Sequence, residues 1–347
     1  MKLEYYEIDK DMSQRLHIMK FIFMIQVVFI HSYALPELSY TLEVPWYVTS
    51  CKEIVVNGIC NVAVPGFFFI SGLLLFSKEF TWFGNLKRKA KSILLPYLLI
   101  NSFWIIFFKM MQSFEITSSY FAGETYQIEG IKGVFEAYLG QMPLYYPFWF
   151  LKDLMILNLF ASIIKSAINR LPVLSAIAII ALQLQIISLP FLVSNNSFCM
   201  FALGCYLVKY RIDVKKLDKI KIQYVGLLFV GMILVKLYLL EDQVLLSTIY
   251  IFCGICFYYQ MTGKIKESKN AENILWCSQF TFFIYAFHEY YEAMIKKILM
   301  MIIPQYGIVQ LLEFFLLPIV IVACCIIAGA ILKKHVPLLY GLICGRR

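Results

Sequence analysis

The sequence predicts an all-α, polytopic membrane protein of about ten transmembrane helices with both termini cytoplasmic. Three observations predict it: a composition that is 61% hydrophobic and 17% aromatic, apolar runs of membrane length from end to end, and basic residues gathered on alternate connections. No soluble domain of 347 residues could hide so much apolar surface from water, so the solvent is lipid. A helix needs about 20 mostly apolar residues to cross a ~30 Å hydrocarbon core while satisfying its own backbone groups.

In chain order the predicted spans are 16 to 34, 54 to 77, 92 to 110, 147 to 164, 171 to 192, 194 to 208, 222 to 240, 243 to 261, 274 to 295 and 305 to 332. The sixth is short, and its boundary with the fifth falls near Pro190 and Asn195-Asn196. The basic residues test this series independently. With the N-terminus inside, the inner segments hold Lys2, Lys10 and Arg15; Lys78, Lys87, Arg88, Lys89 and Lys91; Lys165 and Arg170. Further on they hold Lys209, Arg211, Lys215, Lys216, Lys219 and Lys221; Lys264, Lys266 and Lys269; and Lys333, Lys334, Arg346 and Arg347, making 23 of the 31 Lys and Arg. The outer segments hold Lys52, Lys132, Lys296 and Lys297 beside Glu37, Glu43, Glu115, Glu124, Glu129, Glu136, Glu241 and Asp242. That asymmetry is the positive-inside signature and requires an even number of spans.

The net charge of +9 is therefore a topology signal. Basic residues scattered over short loops suit membrane lipids and argue against a nucleic-acid partner. The expected organisation is a cytoplasmic segment over 1–15, one membrane domain over 16–335 and a cytoplasmic tail over 336–347, with no cleavable signal peptide. Cys253 and Cys256 have metal-ligand spacing, but with no second pair and no nearby His they read as small apolar wall residues. His288-Glu289 with Glu292 resembles half of a zinc-protease helix, but the second His is missing, so no metal site is expected.

Ionisable groups inside spans are costly and point to function. Lys20 and His31 stand eleven residues apart in the first span, which returns them to within ~20° of one helix face at ~16 Å separation. They share a face and cannot touch. In the second span Pro65 and Gly66 precede Phe67-Phe68-Phe69 and Ser71-Gly72 follow. Such a segment can bend around a substrate path with Ser71 available to hydrogen-bond, although helix packing explains Gly72 equally well.

Lys20 with His31, then Phe67-Phe68 followed by Ser71-Gly72, resemble the two leading motifs of the integral-membrane acyltransferase-3 family of O-acyltransferases. Arg88 to Lys91 before Pro96-Tyr97 is similar to the family's basic inner loop, and Trp149-Phe150-Leu151 and Tyr285 with His288 are similar to further landmarks, over about residues 16 to 335. The resemblance implies a bacterial cytoplasmic-membrane enzyme with no bound cofactor. It would move an acyl group, usually acetyl, from cytoplasmic acyl-CoA to a sugar hydroxyl of a cell-surface polysaccharide or lipid-linked precursor. Two departures stand out: many members carry Arg where this chain has Lys20, and many place a Glu soon after the Trp, where Lys152-Asp153 follows here.

Helix rise puts His31, His288, Lys236, Asp153 and Glu313 in one layer of the outer third of the bilayer. A sugar hydroxyl is a poor nucleophile near neutral pH, so a base must take its proton as the thioester is attacked. His31 is the predicted base, or else carries the acyl group briefly itself. His288 and Asp153 complete the predicted catalytic set, and Asp153, Glu289 or Glu313 could orient the His31 ring. The phosphates of CoA need cations near the inner mouth: Arg88, Lys89 and Lys91, with Lys20 reached from within. Ser71 and Trp149 are the remaining predicted substrate contacts. A secondary transporter or lipid-linked-sugar flippase is the alternative, since it too needs ionisable residues in a polar cavity, but the sequence shows no inverted repeat.

Overall fold

The computed structural model describes residues 6–33, 44–118, 128, 130–139, 144–189, 193–239 and 243–345. The charges predicted at Lys2, Glu37, Glu43, Glu124, Glu129, Glu241, Asp242, Arg346 and Arg347, and the boundary residue Pro190, lie outside them. Among the described residues the chain is helical and contains no strand, in accord with the all-α class.

The helices are α1 (Lys10–Tyr33), α2 (Trp46–Phe76), α3 (Trp82–Ser113), α4 (Gly130–Leu139), α5 (Tyr146–Leu159), α6 (Ala161–Arg170) and α7 (Pro172–Gln183). They continue with α8 (Asn195–Lys209), α9 (Ile222–Tyr238), α10 (Val244–Lys266), α11 (Ala271–Ser278), α12 (Thr281–Ile302), α13 (Gly307–His335) and α14 (Pro337–Ile343). Five of them, α1, α2, α3, α10 and α13, are long and apolar enough to cross a membrane, and α5 with α6 forms a sixth candidate broken at Phe160. The other predicted spans coincide with helices that fall short of a crossing by length or composition. α7 and α9 are shorter apolar helices, α8 has 15 residues, and α12 carries Glu289, Glu292, Lys296 and Lys297. The connection from α7 to α8 is closed by Asn195, whose amide donates to the carbonyls of Leu182 and Ile187 at 2.8 Å each.

The chain divides into two compact units. The first comprises Met1–Glu79 and Ile163–Ala328, the second Phe80–Ser162 and Gly329–Arg347.

In the first unit α1 packs against α2, α10, α11 and α12. It buries Leu16, Ile18, Met19, Phe23 and Val28 almost completely. Arg15 is 3% exposed. Its guanidinium grips Asp218 through two bonds of 2.6 and 2.9 Å, donates to the Tyr259 carbonyl at 2.8 Å and stacks on the Tyr259 ring at 3.9 Å. Every donor of a buried planar fork has to be matched in this way. Thus Arg15, a topology charge by sequence, also fastens α1 to α10. Outside the spans, Lys215 donates to Asp9 at 2.5 Å, which holds the Asp9 carboxyl below its usual range.

α2 is irregular. A π-helical turn over Ile54–Ile59 and a 3-10 turn over Cys60–Val62 precede the α-helical stretch that contains Pro65. The irregular turns leave backbone carbonyls to be matched from outside the helix, and three neighbours supply donors. Lys236 donates to Asn57 at 2.9 Å, the Tyr250 hydroxyl to Gly58 at 2.5 Å and the Tyr258 hydroxyl to Ile59 at 3.1 Å. Further along, α2 crosses α8 main chain to main chain: a Cβ on Gly72 would strike the Phe201 carbonyl, and one on Gly204 would strike the Leu73 amide nitrogen.

In the second unit Thr81 caps α3 by accepting from the Gly84 amide at 3.2 Å. The Trp82 indole donates to the Leu159 carbonyl at 2.9 Å, and buried Asn85 donates to the Asn158 side chain at 3.3 Å. Arg88 to Lys91, read as a loop by resemblance, is helix here, as good helix formers behind a cap should be. α3 also packs against α14.

Candidate active site

Two helices of the first unit bring the two predicted histidines together. His31 lies in the last turn of α1 and His288 in the second turn of α12, with ring centroids 5.1 Å apart at an interplanar angle of 70°. The His31 Nδ1 is 3.6 Å from Glu289 Oε1, with 16% and 21% of the two side chains exposed. Glu289 is therefore the carboxylate placed at His31, out of the three the sequence left open. Glu313 instead accepts from Gln305 at 3.0 Å.

His288 is fully buried. Its Nδ1 lies 3.0 Å from the Ile284 carbonyl and 3.1 Å from the Tyr285 carbonyl. Both neighbours only accept, so the neutral ring carries its hydrogen on Nδ1 and its lone pair on Nε2. That Nε2 is buried and has no hydrogen-bond partner among the described residues. One turn along α12, Glu292 is 2% exposed, and neither of its carboxyl oxygens has a hydrogen-bond partner among the described residues. The Ser32 hydroxyl faces that carboxyl group outside hydrogen-bond geometry. Lys296 donates to the Ser32 carbonyl at 2.9 Å, placing a cation at the C-terminal end of α1, where the helix dipole favours one.

The other predicted residues are distributed as follows. Lys20 is half-buried, three turns before His31 on α1, and Ser71 is half-buried beside the Gly72 crossing. Lys236 belongs to the wide turn of α2, where its ammonium lies 4.4 Å from the centroid of the Tyr250 ring, and not to the histidine cluster. Asp153, Trp149, Arg88, Lys89 and Lys91 belong to the second unit. There Asp153 is buried on α5 one turn after Trp149, Arg88 and Lys91 are exposed, Lys89 is half-buried, and Arg88 donates to the Asn85 side chain at 3.0 Å. Sequence reasoning missed Ser32 and Lys296, and weighed Glu292 only as a failed zinc ligand. The usable signal was spacing, since Glu292 follows His288 by four residues and shares its helix face.

Chemically, the cluster offers an imidazole backed by a carboxyl group, a second imidazole with a fixed lone pair, and a buried carboxyl group beside an ammonium. Among the described residues no group of three His, Cys, Asp or Glu side chains could hold a metal ion.

The profile of a protein family described as an acyltransferase domain matches residues 13–331. Over 221 residues the chain is 23% identical to the succinoglycan biosynthesis protein ExoH of Rhizobium meliloti (strain 1021), covering 61% of this chain and 58% of that protein. The aligned part thus spans less than two thirds of the relative's length. No solved structure matches the chain.

Proposed function

We propose, from the premise that this chain belongs to the integral-membrane acyltransferase-3 family, that it transfers an acetyl group from cytoplasmic acetyl-CoA to a sugar hydroxyl. The acceptor in this reading is a cell-surface polysaccharide or its lipid-linked precursor, and the location is the bacterial cytoplasmic membrane. The observation that carries the chemistry is the contact of His31 with Glu289 at 3.6 Å beside the buried His288. A sugar acceptor accords with the part the relative plays in succinoglycan biosynthesis.

In the proposed step His31 takes the hydroxyl proton as the oxygen attacks the thioester carbonyl carbon. The C–O bond forms, the C–S bond breaks, and CoA leaves as the thiolate, which recovers a proton from the imidazolium. Glu289 supports the positive charge His31 gains, as a carboxylate does for an imidazole in acyl transfer. Arg88, Lys89 and Lys91 supply cations suited to the donor phosphates, with Lys20 meeting the pantetheine arm or pyrophosphate.

The test is to supply acetyl-labelled acetyl-CoA to inside-out vesicles and analyse the envelope glycans. Label in a glycan with wild type and none with His31→Ala at equal protein is the expected result. Release of free CoA with no labelled glycan, or equal labelling by both proteins, overturns the reading.

A further inference from the structure

His288 Nε2, the Ser32 hydroxyl and both carboxyl oxygens of Glu292 are buried and have no hydrogen-bond partner among the described residues. Native interiors rarely leave such atoms unmatched, because each costs free energy unless a ligand or ordered water meets it. They lie together, with Ser32 facing Glu292 and Glu292 one helical turn from His288. His288 Nε2 only accepts, because Nδ1 holds the ring hydrogen against two carbonyls. Carboxyl oxygens likewise look for donors. Against these three acceptor atoms the cluster holds one facing donor, the Ser32 hydroxyl, and is thus short of hydrogen-bond donors.

A cation is an unsuitable ligand, since Lys296 already brings an ammonium to the Ser32 carbonyl. Neutral hydroxyl groups supply donors without adding charge, and two adjacent ones can serve two acceptors one helical turn apart. We propose that Ser32, His288 and Glu292 form a subsite for a vicinal diol, with one hydroxyl on His288 Nε2 and its neighbour on the Glu292 carboxyl group. The acceptor is then a ring with two adjacent free hydroxyls, one acylated and one used for alignment. This inference rests on the acyl-transfer reading, with Glu292 as an acceptor-binding residue.

Two measurements test it on the full chain in lipid nanodiscs. Dicyclohexylcarbodiimide modifies carboxyl groups in apolar surroundings, and mass spectrometry reads the adduct at residue 292. Methyl β-glucopyranoside, which has adjacent hydroxyls, is expected to slow that modification several-fold, while cyclohexanol, with one hydroxyl, leaves it unchanged. Equal modification with and without the glucoside overturns the subsite. In the transfer assay Glu292→Gln is expected to raise the acceptor KM about 2- to 10-fold, the loss of one hydrogen bond, while the donor KM holds. A fall in kcat with both KM values unmoved makes Glu292 structural and overturns the inference. Should wild type label no glycan at all, the acyl-transfer reading fails, and protection by the glucoside decides the sugar site by itself.

Discussion

His31 of α1 meets Glu289 of α12 at 3.6 Å, so two residues 258 positions apart in the chain form the imidazole–carboxyl pair of the first unit. Replacing His31 by Ala is expected to lower acyl transfer ~100- to 10,000-fold, the range for loss of a general base. Glu289→Gln keeps the shape and loses the charge, and is expected to cost at least ~10-fold, with ~10,000-fold as the limit set by acyl-transfer triads. Labelled glycan per unit of protein measures both. Wild-type turnover in Glu289→Gln would show that His31 works without its partner.

Lys20 tests charge against geometry. Lys20→Met is expected to raise the acyl-CoA requirement or stop turnover, whereas Lys20→Arg keeps the cation and much of the rate. Donor KM in vesicles distinguishes the two. Indifference to Lys20→Met removes this residue from the donor path.

Lys236 is expected to matter for stability. Lys236→Met leaves the Asn57 carbonyl without its donor, a loss of about 1–3 kcal/mol, while Lys236→Arg restores part of it. Thermal unfolding in detergent reads the difference. An unchanged midpoint in the Met variant means that water replaces the lysine.

These residues also show what the sequence could disclose. The helical class was legible because lipid leaves the backbone few options, and His31 and His288 stood out because imidazoles in apolar runs are rare. The partner of His31 was not legible: Asp153 and Glu313 fit the same layer by helix rise, Glu289 adjoins His288 in the sequence, and only the packing of α12 on α1 selects one. Lys236 fitted the same layer, yet its partner is a carbonyl 179 residues away, exposed by a π turn that no local pattern in 54–59 announces. Glu292 follows His288 at the spacing of a zinc motif that lacks its second His, whereas its meaning lies in what surrounds it.

The inner end of α1 offers a pH test. The hydrogen bond from Lys215 lowers the Asp9 carboxyl, and the one to Asp9 raises the Lys215 ammonium. A depressed acid stabilises the fold above its unfolded value of about 4, and a raised ammonium does so below about 10.4. The contribution is therefore full between those limits and fades as the pH falls through the lowered Asp9 value. The Met12 amide, which donates to Asp9 at 2.8 Å, is expected to lose hydrogen-exchange protection, corrected for intrinsic rate, below about pH 4. High salt weakens the effect because both groups are partly exposed. Protection that is flat from pH 3 to 7 counts against it.

Sidedness follows from the predicted topology. In a Cys-free background a single cysteine at Tyr33, which is 36% exposed, is expected to react with an impermeant thiol reagent added outside, and one at Arg88 with reagent added inside. Labelling at residue 33 only from the cytoplasm reverses the orientation and the proposed route of the acyl group.

The π turn of α2 sets the length of the chain as well as its shape. A turn closed from residue i to i+5 holds one residue more than an α turn, so each residue gained or lost in it swings everything after Ile59 by ~100° about the axis. The register beyond it presents Gly72 to α8. Removing any one residue between Ile54 and Ile59 would rotate the helix beyond it and turn a larger side chain toward Phe201, whatever residue was removed. In this stretch the number of residues constrains the protein more tightly than most of their identities, and a natural variant is expected to reject deletion while tolerating substitution except at Gly58, where a Cβ would lie 2.7 Å from the Ile233 side chain.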